Sequence, residues 1–207
     1  MLAQTSMQRY ELFFYLCTYK LNIMEDLKKN MWNAAGTAGL ALGAVSSAYL
    51  FAGQALSGGL DQAVFWQQIV AFALWSAKFV GCIWLMKIFM TKFAKDNEGI
   101  DNKTVFRMGA LTALLSALMF SGISLANMLY ISAEYYDTVY QTLAQQMSAT
   151  LDSNSLSMLE RVIDNMPQII FFYNLSYCFL FGTALSAILS RNIPAKDPFA
   201  DYKPDEQ

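Results

Sequence analysis

Four stretches of this chain are apolar for too long to be covered by water. They run over 34–56 ("AAGTAGLALGAVSSAYLFAGQAL"), about 65–90, about 108–131 and about 167–189, and only the second contains a charge. A helix rises about 1.5 Å per residue, so about 20 residues cross a hydrocarbon core of about 30 Å. In lipid a helix is also the only open structure that satisfies all its own backbone polar groups. The expected fold class is therefore all-α: a polytopic membrane protein, a bundle of four transmembrane helices with short amphipathic helices in a long outer loop. Composition agrees, since 56% hydrophobic residues against 14% charged leave more apolar surface than a soluble domain of 207 residues can hide.

Several function classes drop out on residue type. The chain has no histidine, so the commonest general base and metal ligand is missing. Its net charge of −2 and its lack of basic-aromatic arrays argue against nucleic acid as a partner. Cys17, Cys82 and Cys178 are far apart, with no CxxC spacing, and read as small buried hydrophobes. No HExxH, GxSxG or pair of intramembrane carboxylates is present. The expectation is a protein that is not an enzyme and needs no cofactor or metal.

Basic residues set the orientation, because Lys and Arg near span ends stay on the cytoplasmic side. Arg9, Lys20, Lys28 and Lys29 precede the first span; Lys87, Lys92, Lys95, Lys103 and Arg107 surround the connector between the second and third; Arg191, Lys196 and Lys203 follow the fourth. The two opposite connectors hold only Arg161. Both termini are expected in the cytoplasm, with a short outer loop near Asp61 and a long one over 132–166. The organisation is then an N-terminal cytoplasmic segment (1–33), a transmembrane domain (34–190) and a disordered cytoplasmic tail (191–207) marked by Pro194, Pro198 and Pro204. "MEDLKKN" makes Met24 a natural initiator, so the native start is expected there; the weaker alternative makes 8–19 an interfacial helix. The long loop reads as two helices broken near "LDSNS". Ser157 and Glu160 form a capping box, and Met158, Leu159, Val162, Ile163 and Met166 form an apolar stripe. Its acidic residues read as a solvated face, since no spacing resembles a calcium loop.

Each span carries a row of small residues at four-residue spacing: Ala35, Gly39, Gly43 and Ser47; Ala73, Ala77 and Gly81; Gly109, Ala113, Ala117 and Ser121; Cys178, Gly182, Ser186 and Ser190. Between helices in lipid the hydrophobic drive is small, so close van der Waals approach and hydroxyl hydrogen bonds must hold them. Gly39, Gly43, Gly81, Gly109 and Gly182 are the expected packing positions, within the chain or against a second copy or a membrane partner.

Lys78 is the exception to every charge rule above. It lies nine residues from Lys87, about 13 Å along the helix. A central lysine costs about 2.5 to 3.5 kcal/mol on insertion scales. Ser46, Ser116 and Ser186 fall at the same depth, and no carboxylate does, so the amine either snorkels and bonds to hydroxyls or lines a polar cavity that holds an anion or a lipid headgroup. Asn127 and Asn174 sit at matching depths of about 10 Å from the outer span ends, and are expected to pair across helices, with Tyr130, Tyr173 and Tyr177 as interface anchors.

The turn "GIDNKTVFRMG" leading into the third span, the segment "SMLERVIDNMP" and the ending "ALSAILSRN" resemble a bacterial membrane-protein family, domain-of-unknown-function family 4199, found mainly in Bacteroidota. The likeness covers about Met24 to Asn192. It implies a four-span inner-membrane protein and carries over no functional residue. Two functional readings follow: association through packed helices, as a homodimer or a subunit of a complex, and a small transporter or channel-like protein using Lys78.

Overall fold

The computed structural model describes residues 2–57, 64–97, 100–148 and 152–193, with side-chain detail from Glu25 onward except at 56–57, 64–67, 148, 153, 156 and 160. The expected disordered tail beyond Ile193, the short connector around Asp61, and the apolar patch of 8–19 with the proposed start at Met24 lie outside what these residues describe in side-chain terms. Six α-helices appear: α1 (Leu2–Ser57), α2 (Val64–Asp96), α3 (Asn102–Ala126), α4 (Ala133–Ser148), α5 (Ser153–Asp164) and α6 (Met166–Asn192). A π-helical turn, Asn127–Ile131, extends α3. No strand occurs among the described residues. Four segments are long and apolar enough to span a bilayer: Glu25–Ala55, Gln68–Asp96, Asn102–Ile131 and Met166–Asn192.

One boundary differs from the expectation. α1 does not begin near Ala34 but runs unbroken from Leu2. The stretch 2–35 contains neither Gly nor Pro, and "EDLKK" consists of good helix formers. Charge there marks the edge of the hydrocarbon, not the end of the helix.

α3 is the centre of the bundle, packing on α1 to one side and α6 to the other, while α2 rests mainly against α1. The glycines explain the close approach. A Cβ on Gly39 would stand 2.7 Å from Leu115 Cβ, and one on Gly43 2.7 Å from Met119 Sδ. Across the other interface, a Cβ on Gly182 would stand 2.6 Å from Ala113 Cβ, and one on Gly109 would overlap Ser186. Four of the five expected packing glycines thus stand at close contacts within the chain, and the fifth does not. Gly81 has nothing within 4 Å of its would-be Cβ, and Ala73 and Ala77 beside it are exposed, so the α2 row takes no part in packing within the chain. Its described buried side chains are confined to Met86, Met90 and Phe93.

All four spanning helices converge near the end of the bundle that carries Lys87, Lys92, Lys103, Arg107 and Arg191, hereafter the basic end. Leu42 of α1, Met86 and Met90 of α2, Met108 of α3 and Leu189 of α6 form a buried plug there. At the opposite, loop end stand α4 and α5. Asp152 caps α5, its carboxylate accepting from Ser155 N at 3.2 Å. The expected capping box is thus displaced: Ser157 lies inside the helix and its hydroxyl donates to Asn154 O at 2.8 Å. The side chain of Glu160 is outside the described set. Of the α5 stripe, Leu159, Ile163 and Met166 are half-buried, while Met158 and Val162 are exposed. Asn165 ends α5 and is followed by α6, whose Pro167 sits in the first turn, where its missing N–H leaves nothing unpaired.

Candidate functional site

Lys78 faces into the bundle. Its Nζ lies 4.8 Å from the centroid of Tyr49 on α1 and 4.8 Å from that of Phe120 on α3. Two ring faces therefore take the place of the missing carboxylate. A cation–π contact contributes about 0.5–1 kcal/mol when exposed and about 2 when desolvated. Two of them together offset much of the roughly 3 kcal/mol insertion cost of a central lysine. This arrangement was not foreseen from sequence, where only hydroxyls and carboxylates were sought as partners.

Beside the amine lies a cavity of about 140 Å³. Helix α1 contributes Leu42 and Ser46; α2 contributes Trp75, Lys78, Phe79, Cys82 and Met86; α3 contributes Ala113, Ser116 and Phe120; α6 contributes Tyr177, Cys178, Phe181, Gly182 and Leu185. No Asp or Glu lines it among the described residues. Ser46 and Ser116 are thus brought to Lys78 as depth alone predicted, and Ser46 Oγ lies 4.0 Å from Cys82 Sγ, within sulfur hydrogen-bond reach. Ser186 is not. It points at α3, where its hydroxyl donates to Phe106 O at 3.0 Å, so its role is to fasten α6 to α3.

The cavity is walled toward the bilayer by rings. Phe72, Trp75 and Phe79 stack along α2 at 6.0 and 5.5 Å between centroids; Phe79 meets Phe181 of α6 at 5.3 Å; Phe181, Tyr177 and Tyr173 continue along α6 at 6.4 and 6.1 Å. Such pairs contribute about 0.5–1.5 kcal/mol each beyond area burial. Phe79–Phe181 is the ring contact that joins α2 to α6.

A second polar centre lies at the loop end. Asn127 is fully buried in the π-turn. Its Nδ2 donates to Tyr136 Oη at 3.5 Å, its Oδ1 accepts from Ser132 Oγ at 3.1 Å, and Gln54 Nε2 donates to the same tyrosine oxygen at 2.9 Å. Tyr136, unremarkable in sequence, thereby ties α4 to α1 and α3. The expected Asn127–Asn174 pair does not form. Asn174 Nδ2 donates instead to Ser124 Oγ at 3.4 Å, one turn earlier on α3, because equal depth does not give equal facing. One turn beyond Tyr136, burial, then the nearby Tyr136 and Asp137, hold the Tyr140 phenol above the usual tyrosine range. Tyr130, Tyr173 and Tyr177 are all exposed, but Tyr177 also lines the Lys78 cavity, deeper than the membrane interface expected of it.

Near the basic end, α1 and α2 border a more open cavity of about 420 Å³ lined by Asn30, Asn33, Thr37, Lys92, Asp96 and Asn97 among others. No cluster of metal-ligating side chains occurs among the described residues.

Four spanning helices packed through glycine and alanine, with helical loop segments at one end, define a polytopic α-helical membrane protein. The chain belongs to the family described as "Protein of unknown function (DUF4199)", whose model matches residues 37–191. No curated protein and no solved structure matches it. The matched range takes in the second and third spans, α4 and α5, most of the first and fourth spans, and both polar centres.

Proposed function

We propose that this chain is a non-enzymatic membrane protein that binds an anion inside the bilayer, in the manner of a small carrier, with Lys78 as the binding charge. The observation that carries the reading is an amine held in mid-membrane beside a cavity that no Asp or Glu lines among the described residues. An intramembrane ionisable group facing a cavity marks a functional site by default. Its test is Lys78→Met in a strain with a scoreable deletion phenotype: the phenotype should appear while the purified variant keeps its helicity and its elution from detergent columns. A silent substitution in such a strain would overturn the reading.

A second reading is association with a second copy or another membrane protein, and α2 is the observation in its favour. The rows on α1, α3 and α6 are consumed inside the chain, whereas Ala73, Ala77 and Gly81 are left open beside exposed Val80 and Trp84. Cysteine crosslinking at Ala77 in native membranes would trap a dimer on this reading and only monomer without it. For location, the basic end supports the cytoplasmic face of a bacterial inner membrane, with both termini inside. Reporter fusions after Asn192 should then register cytoplasm and fusions at Ser153 the outer side.

A further inference from the structure

Phe120, one turn beyond Ser116 toward the loop end, lines the cavity, and Tyr49, one turn beyond Ser46, lies against the amine from α1. Leu42 and Met86, part of the buried plug, floor it toward the basic end. Among the described lining residues, apolar side chains thus bound the cavity toward both ends of the bundle. The side between α2 and α6 is different: Trp75, Phe79, Tyr177 and Phe181 line the cavity there and are 51%, 37%, 57% and 36% exposed. In a spanning bundle that exposure faces acyl chains. The wall of the cavity toward the hydrocarbon is therefore only one ring thick, and the Phe79–Phe181 contact at 5.3 Å is its seam between the two helices.

This geometry restricts the ligand. An ammonium has three N–H donors. Two ring faces occupy at most two directions, which leaves one for a guest in the cavity that the side chain lines. The hydroxyl of Ser116 lines the cavity, that of Ser46 has only the weak thiol contact of Cys82 to give up, and no protein carboxylate competes among the described lining residues. The guest must bring hydrogen-bond acceptors and a negative charge. It must also be small at the charged end: about 140 Å³ is close to the roughly 150 Å³ of an engineered cavity that holds benzene. A carboxylate and a few methylenes fit; a phosphoglycerol headgroup with two acyl chains does not. The rest of the guest must lie in lipid, beyond the aromatic wall.

We propose that the Lys78 cavity takes the carboxylate of a single-chain amphiphile, a long-chain fatty acid or its chemical like, which enters sideways from the bilayer by parting the Phe79 and Phe181 rings. The inference rests on the reading of Lys78 as the binding charge and names the ligand class and the route. The carboxylate meets the amine and the two hydroxyls, and the chain leaves across Trp75 and Tyr177. Recognition is by charge at one end and by ring faces along the first methylenes.

The full-length protein in nanodiscs of zwitterionic lipid provides the test, with Trp75 as reporter. Trp32, Trp66 and Trp84 are changed to Phe, and bromine-labelled stearic acid is titrated against its bromine-labelled methyl ester. The acid should quench Trp75 saturably, and both esterification and Lys78→Met should weaken that binding at least about tenfold, the loss of a charge-assisted hydrogen bond. Lys78→Arg should retain most of it. Phe181→Ala, which removes half of the seam contact, should speed quenching more than it changes the plateau. Equal quenching by acid and ester would overturn the proposal, since the guest would then be any lipid chain. A response of Trp75 to inorganic phosphate or chloride that Lys78→Met abolishes, with none to the acid, would overturn the ligand class and leave Lys78 as an anion site. No Lys78-dependent response to any of these would overturn both.

Discussion

Replacing Gly109 by Ala puts a methyl group where α6 already stands. The new Cβ would lie 2.9 Å from Ser186 Cβ and 3.0 Å from Met90 Sδ, and would overlap Ser186 Oγ outright. The Met90 sulfur is near the end of a flexible chain and can swing aside. Ser186 cannot do so freely, being fully buried and committed by its hydroxyl to Phe106 O at 3.0 Å. Overpacking of this kind costs about 1–3 kcal/mol, and an interhelical hydrogen bond in a membrane about 0.6, at most about 1.7. Gly109→Ala should therefore destabilise the bundle by about 2–4 kcal/mol. Reversible unfolding in mixed micelles at rising dodecyl sulfate fraction, followed by far-ultraviolet circular dichroism, measures it. The same titration on Ser186→Gly and on the double variant closes a cycle. In the double variant the alanine methyl occupies the space that the serine vacated, so it should recover at least about 1 kcal/mol relative to the sum of the singles. Strict additivity would refute the reasoning, because the two positions would then not meet.

Gly43→Leu should disrupt the α1–α3 contact and cost at least about 2 kcal/mol in the same titration, whereas Gly81→Leu should leave the monomer's stability within about 0.5 kcal/mol, its would-be Cβ having open space. Asn127→Ala strands Ser132, leaves Tyr136 with Gln54 alone, and should cost about 1–3 kcal/mol, with faster amide exchange along α4; Asn174→Ala, which loses one bond of 3.4 Å, should do less. The hydrogen bond from Ser155 holds the Asp152 carboxyl below the usual carboxylate range, so its contribution to α5 is present above that range and is lost as pH falls through the lowered value. Protection of the amides within Ser155–Ser157, taken relative to their intrinsic exchange rates, should fall in acid for the native chain and be independent of pH for Asp152→Asn. Tyr140 has the opposite sign: its neutral form is favoured in the fold, so stability is full below the ordinary tyrosine range and declines as pH rises through the raised value, a decline that Tyr140→Phe should remove.

The spans and their packing faces were legible because lipid imposes both: length follows from bilayer thickness, and small residues follow from the lack of a hydrophobic force between helices. Gly39, Gly43, Gly109 and Gly182 all stand at interfaces. Gly81 fits the same pattern and meets nothing within the chain, since a row of small residues does not name its partner. Depth along a helix was also legible and placed Ser46 and Ser116 beside Lys78, but azimuth was not. Ser186 turned to α3, and Asn174 met Ser124 rather than Asn127. The π-turn left no mark in "NMLYI", because the fifth-residue bond from Ser132 N to Asn127 O arises from how α3 meets α4 and not from local preference. The aromatic support of Lys78 escaped notice for a simpler reason. Tyr49 and Phe120 offer ring faces instead of oxygen atoms.

The central place of α3 has a consequence for how the protein is made. As the chain leaves the insertion machinery, α1 and α2 reach the bilayer first, yet most of the glycine face of α1 is complementary to a helix not yet delivered. Until α3 arrives, Gly39 and Gly43 present a bare groove to lipid. α6 comes later still, after α4 and α5 have crossed or settled, and only then does Gly182 close on Ala113. An interrupted chain that stops after α2 thus displays an unfilled notch at a fixed depth in the membrane, a ready mark for the proteases that clear unfinished products.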